Sequence, residues 1–267
     1  MSSKNQNFSE DYFRRFAGMA RLYGTAGLKK IQQAKFLIIG IGGVGSWAAE
    51  ALARSGVETI SLMDMDEVCL SNVNRQIHAL TDNVGHTKTT VMADRLKQIN
   101  PNIQINVIDD FLNKNNIEHY INHENDYIID AIDGVISKSA LIAHCKRQKI
   151  PLLTVGGAGG QRNPSAIKIK DLSRTSGDPL LSKVRNELRR HYNFPRNVRN
   201  TFGISAVYSD EQLYYPHPDA SVSHARPPNM DATQLDCQTG FGAASFVTAS
   251  FAFKAVSYLL EKITQQP

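Results

Sequence analysis

Cysteine is scarce in this chain. Its 267 residues hold three, Cys69, Cys145 and Cys237. No two of them form a C-x-x-C pair, which argues against a structural zinc site and against a disulfide framework; a reducing, cytoplasmic setting fits that usage. Charge of one sign is also in short supply: 30 Lys and Arg against 25 Asp and Glu leave +5. That balance permits an acidic partner without requiring one. The opening MSSKNQNFSEDYFRRF has no apolar signal core, so the expected start is that of a cytoplasmic protein. Long apolar runs are missing except over 241–260, FGAASFVTASFAFKAVSYLL. That run reaches bilayer length, but Lys254 interrupts it and Ser, Thr and Gly are frequent. It reads as a helix packed on the core, and no membrane partner is expected.

Disorder is not indicated either, with 42% hydrophobic and 21% charged residues. A chain of this length buries one core without staples. Hydrophobic patterning predicts a strand over 35–39, a helix over 43–55 and a strand over 58–63. A helix over 86–99 stops at Asn100-Pro101, and strands follow at 103–108 and 126–131. A helix over 135–148 leads through Pro151 into LLTVG and a glycine cluster at 156–160. Strands and helices in alternation suit right-handed crossovers, so the expected fold is α/β, a doubly wound and largely parallel sheet. Beyond Gly160 the composition shifts. Residues 162–199 carry many cations, opposed only by Asp171, Asp178 and Glu187, and 209–231 is proline-rich. These read as a smaller basic C-terminal appendage followed by a mobile loop.

Gly40, Gly42 and Gly45 satisfy G-x-G-x-x-G between a strand and a helix, with Gly43 as an extra. Such glycines permit a tight turn, close approach of backbone N–H groups to phosphates, and close helix–strand packing. Asp64 follows at about the 20-residue spacing of an acid that holds ribose hydroxyls. Alone, this points to a dinucleotide and hydride transfer. The next segment changes the expected ligand. DMDEVCLSNVNRQ places Asp66, Asn72, Arg75 and Gln76 just past Asp64, and VGHTK adds Lys88. Cations beside the glycine turn suit a triphosphate, whose charge must be neutralised as pyrophosphate leaves. Asp133, in DAIDG, falls at the carboxyl edge of the sheet, where a carboxylate can hold Mg²⁺.

The glycine turn, D-x-D-x-V-x-x-S-N-x-x-R-Q (64–76), G-x-x-K (85–88) and D-x-x-D (130–133) stand in one order. In that order the chain resembles the adenylating family that includes the ubiquitin-activating enzymes and the bacterial activators of sulfur carriers. RRFAGMARLYG (14–24), NRQIHAL (74–80), GGAGGQ (156–161) and LDCQTGFGAASFVTASFAF (235–253) extend the resemblance to a tRNA-modifying branch. It implies ATP-dependent cyclisation, by net loss of water, of threonylcarbamoyladenosine next to the anticodon, through an acyl-adenylate. It also implies roles for residues. Gly40, Gly42, Gly43 and Gly45 line the phosphates, Asp64 binds ribose, and the backbone around 110–112 frames adenine. Asn72, Arg75 and Lys88 hold the triphosphate with Asp66 and Gln76 beside them, and Asp133 coordinates Mg²⁺; Arg75, Lys88 and Asp133 are the expected catalytic set.

Two departures matter. Sulfur-carrier activators carry paired C-x-x-C motifs, and this chain has none. In those relatives an N-terminal arginine reaches the partner subunit's ATP. Arg15 matches its first arginine, Gly18 stands at the second, and Arg21 is the substitute; a homodimer follows from that role. The expected division is an adenylating domain with an N-terminal helical arm over 1–160, the basic appendage and loop over 161–240, and a C-terminal helix over 241–267. Arg185, Arg189 and Arg190 recur at helical spacing and are candidates for tRNA phosphates. Cys237 reads as a small apolar core residue, since the dehydration needs no thioester. Two alternatives stay open: adenylation of a Gly-Gly-ended sulfur carrier, and a nucleotide-sensing scaffold that docks a cysteine desulfurase or other sulfur-transfer partner.

Overall fold

The computed structural model describes residues 8–197, 199–227 and 241–265. Cys237 and all of LDCQTG therefore lie outside the described residues, as does the last part of the expected loop. The chain begins with α1 (Glu10–Gln33), capped by Ser9, whose hydroxyl accepts from Tyr12 N at 3.2 Å, and kinked at Gly24 (φ 76). Then come β1 (Lys35–Ile39), α2 (Gly45–Arg54), β2 (Thr59–Met63), α3 (Lys88–Ile99) and β3 (Gln104–Ile108). The short α4 (Ile117–Tyr120), β4 (Tyr127–Asp130), α5 (Val135–Gln148), β5 (Leu152–Val155) and β6 (Ile167–Asp171) follow. The remainder is α6 (Pro179–His191), β7 (Ser205–Ser209), a ribbon of β8 (Tyr215–Pro216) with β9 (Val222–Ser223), and α7 (Ser245–Gln265).

Seven strands form one sheet in the order β3-β2-β1-β4-β5-β7-β6. All neighbours are parallel except β6, which runs antiparallel to β7. From β1 the chain winds outward through β2 and β3, then returns to β4 on the other side, so the switch point lies between β1 and β4. Register makes that point a site. Ile39 pairs with Met63 and with Asp130, and Met63 with Ile108. Four strands thus end level, and their following loops open on one edge, where ligands of such sheets gather.

Alternation along β1 divides the core. Phe36 and Ile38 face one layer with Leu52, Met92, Phe251 and Leu259; Leu37 and Ile39 face the other with Leu141, Leu181 and Leu188. Each such side chain contributes about 1.5–3 kcal/mol by leaving water. The apolar C-terminal run is α7, starting at Ser245, and its Val247, Phe251, Ala255 and Leu259 stripe is buried in the first layer. Among the described residues no helix is long and apolar enough to cross a membrane.

The segment past Gly160 differs from the expected appendage. β6 and β7 complete the same sheet, and α6 buries Leu180, Leu181, Val184 and Leu188 in the second layer. Most of the cations that suggested a separate unit sit on exposed positions of elements fused to the core: Lys168 and Lys170 alternate with buried Ile167 and half-buried Ile169. That period of two was readable in IKIK and outweighed by the charge.

Candidate active site

A cleft of 610 Å³ opens at the switch point, walled by the turns after β1, β2, β3, β4 and β5. The glycine turn forms its floor. Gly40 has φ 89, and a Cβ there would stand 2.8 Å from the Ala131 carbonyl oxygen; one on Gly45 would stand 1.8 Å from that of Gly40. Only glycine lets β1 turn this sharply into α2. At Gly42 a Cβ would meet nothing closer than Gln76 Nε2 at 3.9 Å, so this residue faces the open cleft. α2 begins without a side-chain cap, leaving its positive N-terminal end to a ligand.

Asp64 ties two halves of the site together. One carboxylate oxygen accepts from Ile41 N at 2.6 Å and the other from Asp66 N at 2.8 Å. Burial raises its pKa, with Lys88 and the two amides pulling the other way. Lys88, the first residue of α3, is buried and donates to Asp66 Oδ2 at 2.6 Å. Asn72 holds the intervening loop by accepting from Cys69 N at 3.0 Å. Gln76 lines the cleft with its Oε1 buried and unpartnered, an acceptor left for a ligand. Arg75 is anchored through its carbonyl, which accepts from Trp47 Nε1 at 3.0 Å and Thr248 Oγ1 at 3.2 Å. Its guanidinium lines the cleft and donates to the Ser71 carbonyl at 2.7 Å. Behind this loop His78 is 1% exposed with neither ring nitrogen paired. Burial, then Lys88 and Arg95, lower its pKa to about 4.

The two aspartates of D-x-x-D have separate jobs. Asp130 is fully buried: it accepts from Lys138 Nζ at 3.0 Å and from Thr154 Oγ1 at 2.7 Å. Lys138 also donates to the Ile132 carbonyl at 2.8 Å, fixing the turn that carries Asp133. Asp133 itself is exposed on the cleft wall. Sequence reasoning passed over Lys138, although its place eight residues after Asp130, on α5, was a readable signal. Asp178, the N-cap of α6, accepts from Leu181 N at 2.9 Å and Gly157 N at 3.0 Å, and burial pushes its pKa up to about 6.

Asp110, Phe111 and Leu112 line the far end, with Phe111 half-exposed. Gly40, Gly42, Gly43, Asp64, Asp66, Asn72, Arg75, Gln76, Lys88 and Asp133 therefore share one wall system, and only Gly45 of the expected set lies behind it. The five expected arginines of α1 and α6 are elsewhere. Arg15 pairs with Asp11 at 2.8 Å and donates to the Ile99 carbonyl at 3.4 Å, at the end of α3 remote from Lys88. Neither Arg15 nor Arg21 lines the cleft of its own chain. On α6, Arg185 donates to Thr175 Oγ1 and is half-buried, and Arg189 lies over Phe202, 5.4 Å from the ring centre. Arg190 alone of the three is exposed, so they do not form one free basic face. The exposed free cysteine Cys69, whose thiol donates to the Glu67 carbonyl at 3.9 Å, lines the cleft, a neighbour that motif spacing did not single out.

Known proteins resemble this chain over nearly its whole length. tRNA threonylcarbamoyladenosine dehydratase of Escherichia coli (strain K12) is 49% identical over 255 residues, covering 96% of this chain and 95% of that protein. The solved structure of E. coli tRNA N6-threonylcarbamoyladenosine dehydratase, TcdA, in complex with ATP superposes with a TM-score of 0.85 at 47% identity, covering 96% of each chain. The sulfur carrier protein ThiS adenylyltransferase of E. coli is 36% identical over 137 residues, 51% of this chain. The sequence profile of the ThiF family matches residues 13–266, from α1 through the switch-point cleft to the end of α7. With sheet, glycine turn and C-terminal helix all inside that match, the chain belongs to the ThiF family.

Proposed function

We propose that this chain dehydrates N6-threonylcarbamoyladenosine next to the anticodon of tRNA, using ATP. The end-to-end likeness to a dehydratase solved with ATP carries the proposal. The sulfur-carrier adenylyltransferase matches only about half of this chain. The cleft accounts for the chemistry. The carboxylate of the modified base attacks the α-phosphorus of ATP; the new O–P bond replaces the bond to pyrophosphate. The carbamoyl group of the same modification then attacks the acyl carbon, AMP leaves with the carboxylate oxygen, and one proton is released. A carboxylate is ionised at neutral pH, so the first step needs no general base.

Charge is the main obstacle, because an anion approaches a polyanion. Arg75 and Lys88 oppose it, with Lys88 held in place by Asp66 and keeping two donors for phosphate. Asp64 and Gln76 offer acceptors to ribose hydroxyls, and Phe111 offers a face to adenine. Mg²⁺ fits the residues present: Asp133 is an exposed carboxylate on the cleft wall, whereas Asp130 is consumed by Lys138 and Thr154. Mg²⁺ usually binds through one or two carboxylates plus substrate phosphates, and there it would neutralise the departing pyrophosphate. We place the enzyme in the cytoplasm as a homodimer, with Arg15 or Arg21 on α1 serving the partner's nucleotide, and assign Arg190 of α6 to tRNA phosphate. Docking of a sulfur-transfer partner is not needed for these steps.

Incubation with ATP, Mg²⁺ and threonylcarbamoyl-modified tRNA tests the proposal, with the nucleoside followed by mass. Loss of one water with release of AMP is expected. An AMP–carrier adduct, or no turnover, overturns it.

A further inference from the structure

The nucleotide leaves part of the cleft unused. Its expected contacts come from the turns after β1, β2 and β3 and from Asp133, which is half of the sheet edge. The cleft continues past β4 to the loop after β5, the start of α6, Leu213 and Phe241. We infer that this second half, walled by Gly156, Gly157, Leu180, Leu213 and Phe241, is the pocket for the acceptor base: a neutral purine whose substituent ends in a carboxylate. The inference rests on the dehydration proposed above and supplies its missing binding site.

The wall has the character such a base requires. Among the described residues it presents backbone and apolar side chains and no ionisable group, which suits a flat neutral heterocycle. It is also rigid. Gly157 N donates to buried Asp178, Gly160 N donates to the Gly242 carbonyl at 2.8 Å, and Tyr214 N donates to the Gly160 carbonyl at 2.8 Å. A base seated here points its substituent along the cleft toward the phosphates.

Gly157 is the informative residue. Its neighbours Gly156 and Gly160 are glycine for local reasons. A Cβ on Gly156 would stand 1.9 Å from Asp178 Oδ2, and Gly160 has φ 71. Gly157 has neither reason. Its φ is not positive, it alone of 156–160 is half-exposed, and a Cβ would meet only Leu180 Cβ, at 3.9 Å. The protein has room for a side chain at this position and keeps none, on the wall of the cleft. Glycine here holds volume open for a ligand.

Gly157→Val tests this, with Phe241→Ala as the second variant should the first fail to fold. The readouts are ATP affinity measured with ATP alone, and affinity for an anticodon stem-loop with and without the threonylcarbamoyl group. The expected result is wild-type preference for the modified stem-loop, reduced tenfold or more in the variants, with ATP affinity within twofold of wild type. Preference unchanged in both variants overturns the pocket, as does an equal loss of ATP affinity. Absent dehydration by the wild type, with its preference intact and lost in Gly157→Val, overturns the reaction and leaves the pocket standing.

Discussion

Lys138 Nζ lies 3.0 Å from Asp130 Oδ1, and neither side chain reaches solvent. The same ammonium donates to the Ile132 carbonyl, so a buried cation holds the turn that presents Asp133. Breaking such a pair from one side strands a charge in the core. Lys138→Met is expected to cost about 3–5 kcal/mol, read as a drop in the urea midpoint. Asp133→Asn, on the surface, shifts stability by at most about 0.5 kcal/mol. Equal shifts for the two would contradict this division of labour.

Arg75 contributes to the fold through its carbonyl and to the cleft through its guanidinium. Arg75→Ala keeps the first and removes the second. Turnover should fall by about 10²–10³ with the melting temperature nearly unchanged, and Asp133→Ala should behave alike. Near-normal AMP release in either variant removes that residue from the site.

Two buried groups give opposite pH dependences. Asp178, raised from 3.8 to about 6, contributes stability that is present below pH 3.8 and lost as pH rises through 6. His78, lowered from 6.5 to about 4, contributes stability present above pH 6.5 and lost as pH falls through 4. Each is on the order of 3 kcal/mol, so they oppose between about pH 4 and 6. His78→Leu forfeits no hydrogen bond, since both ring nitrogens are unpartnered. Its stability relative to wild type should rise on acidification from pH 7 to pH 4.5. Parallel urea midpoints at the two pH values would refute this.

Cys69 is exposed on the cleft wall, whereas the Cys145 thiol is buried and its pKa raised to about 12. Iodoacetamide followed by peptide mass analysis should label Cys69 before Cys145, and saturating ATP should slow the Cys69 labelling. Labelling indifferent to ATP would move the nucleotide away from this wall.

On α6, Arg190→Glu should weaken tRNA binding at low salt without changing stability. Arg185→Glu places a carboxylate near buried Asp178 in exchange for the Thr175 contact, and should destabilise the fold itself. Unchanged tRNA affinity in Arg190→Glu would end the proposed phosphate contact.

The nucleotide turn was legible because its demands are local: Gly40 and Gly45 are required by backbone within a few residues or across one strand pair. Strand ends were legible as well, and they fixed Asp64 and Asp133 at one edge. What the sequence hid depends on which face or end an element offers. Arg15 and Arg21, expected at a partner's nucleotide, sit on a helix whose start docks by Tyr12 on the Gly56 carbonyl, after the end of α2 and away from the cleft of their own chain. The spacing of Arg185, Arg189 and Arg190 showed helix but not that two of them turn inward to Thr175 and Phe202. Lys138 was hidden because a lysine on a helix defaults to solvent, and only the Asp130 it meets makes burial tolerable.

The Arg75 loop draws its anchors from distant parts of the chain: Trp47 from α2, Thr248 from α7, and the Ala243 carbonyl that accepts from Asn74 Nδ2 at 2.7 Å. Protein synthesis runs from the N-terminus, so the glycine turn, Asp64 and Lys88 emerge from the ribosome long before residues 243–248. Until those last residues arrive, the arginine loop lacks two of its three fastenings. The arginine that lines the cleft is therefore fully anchored only once the C-terminal helix has been made.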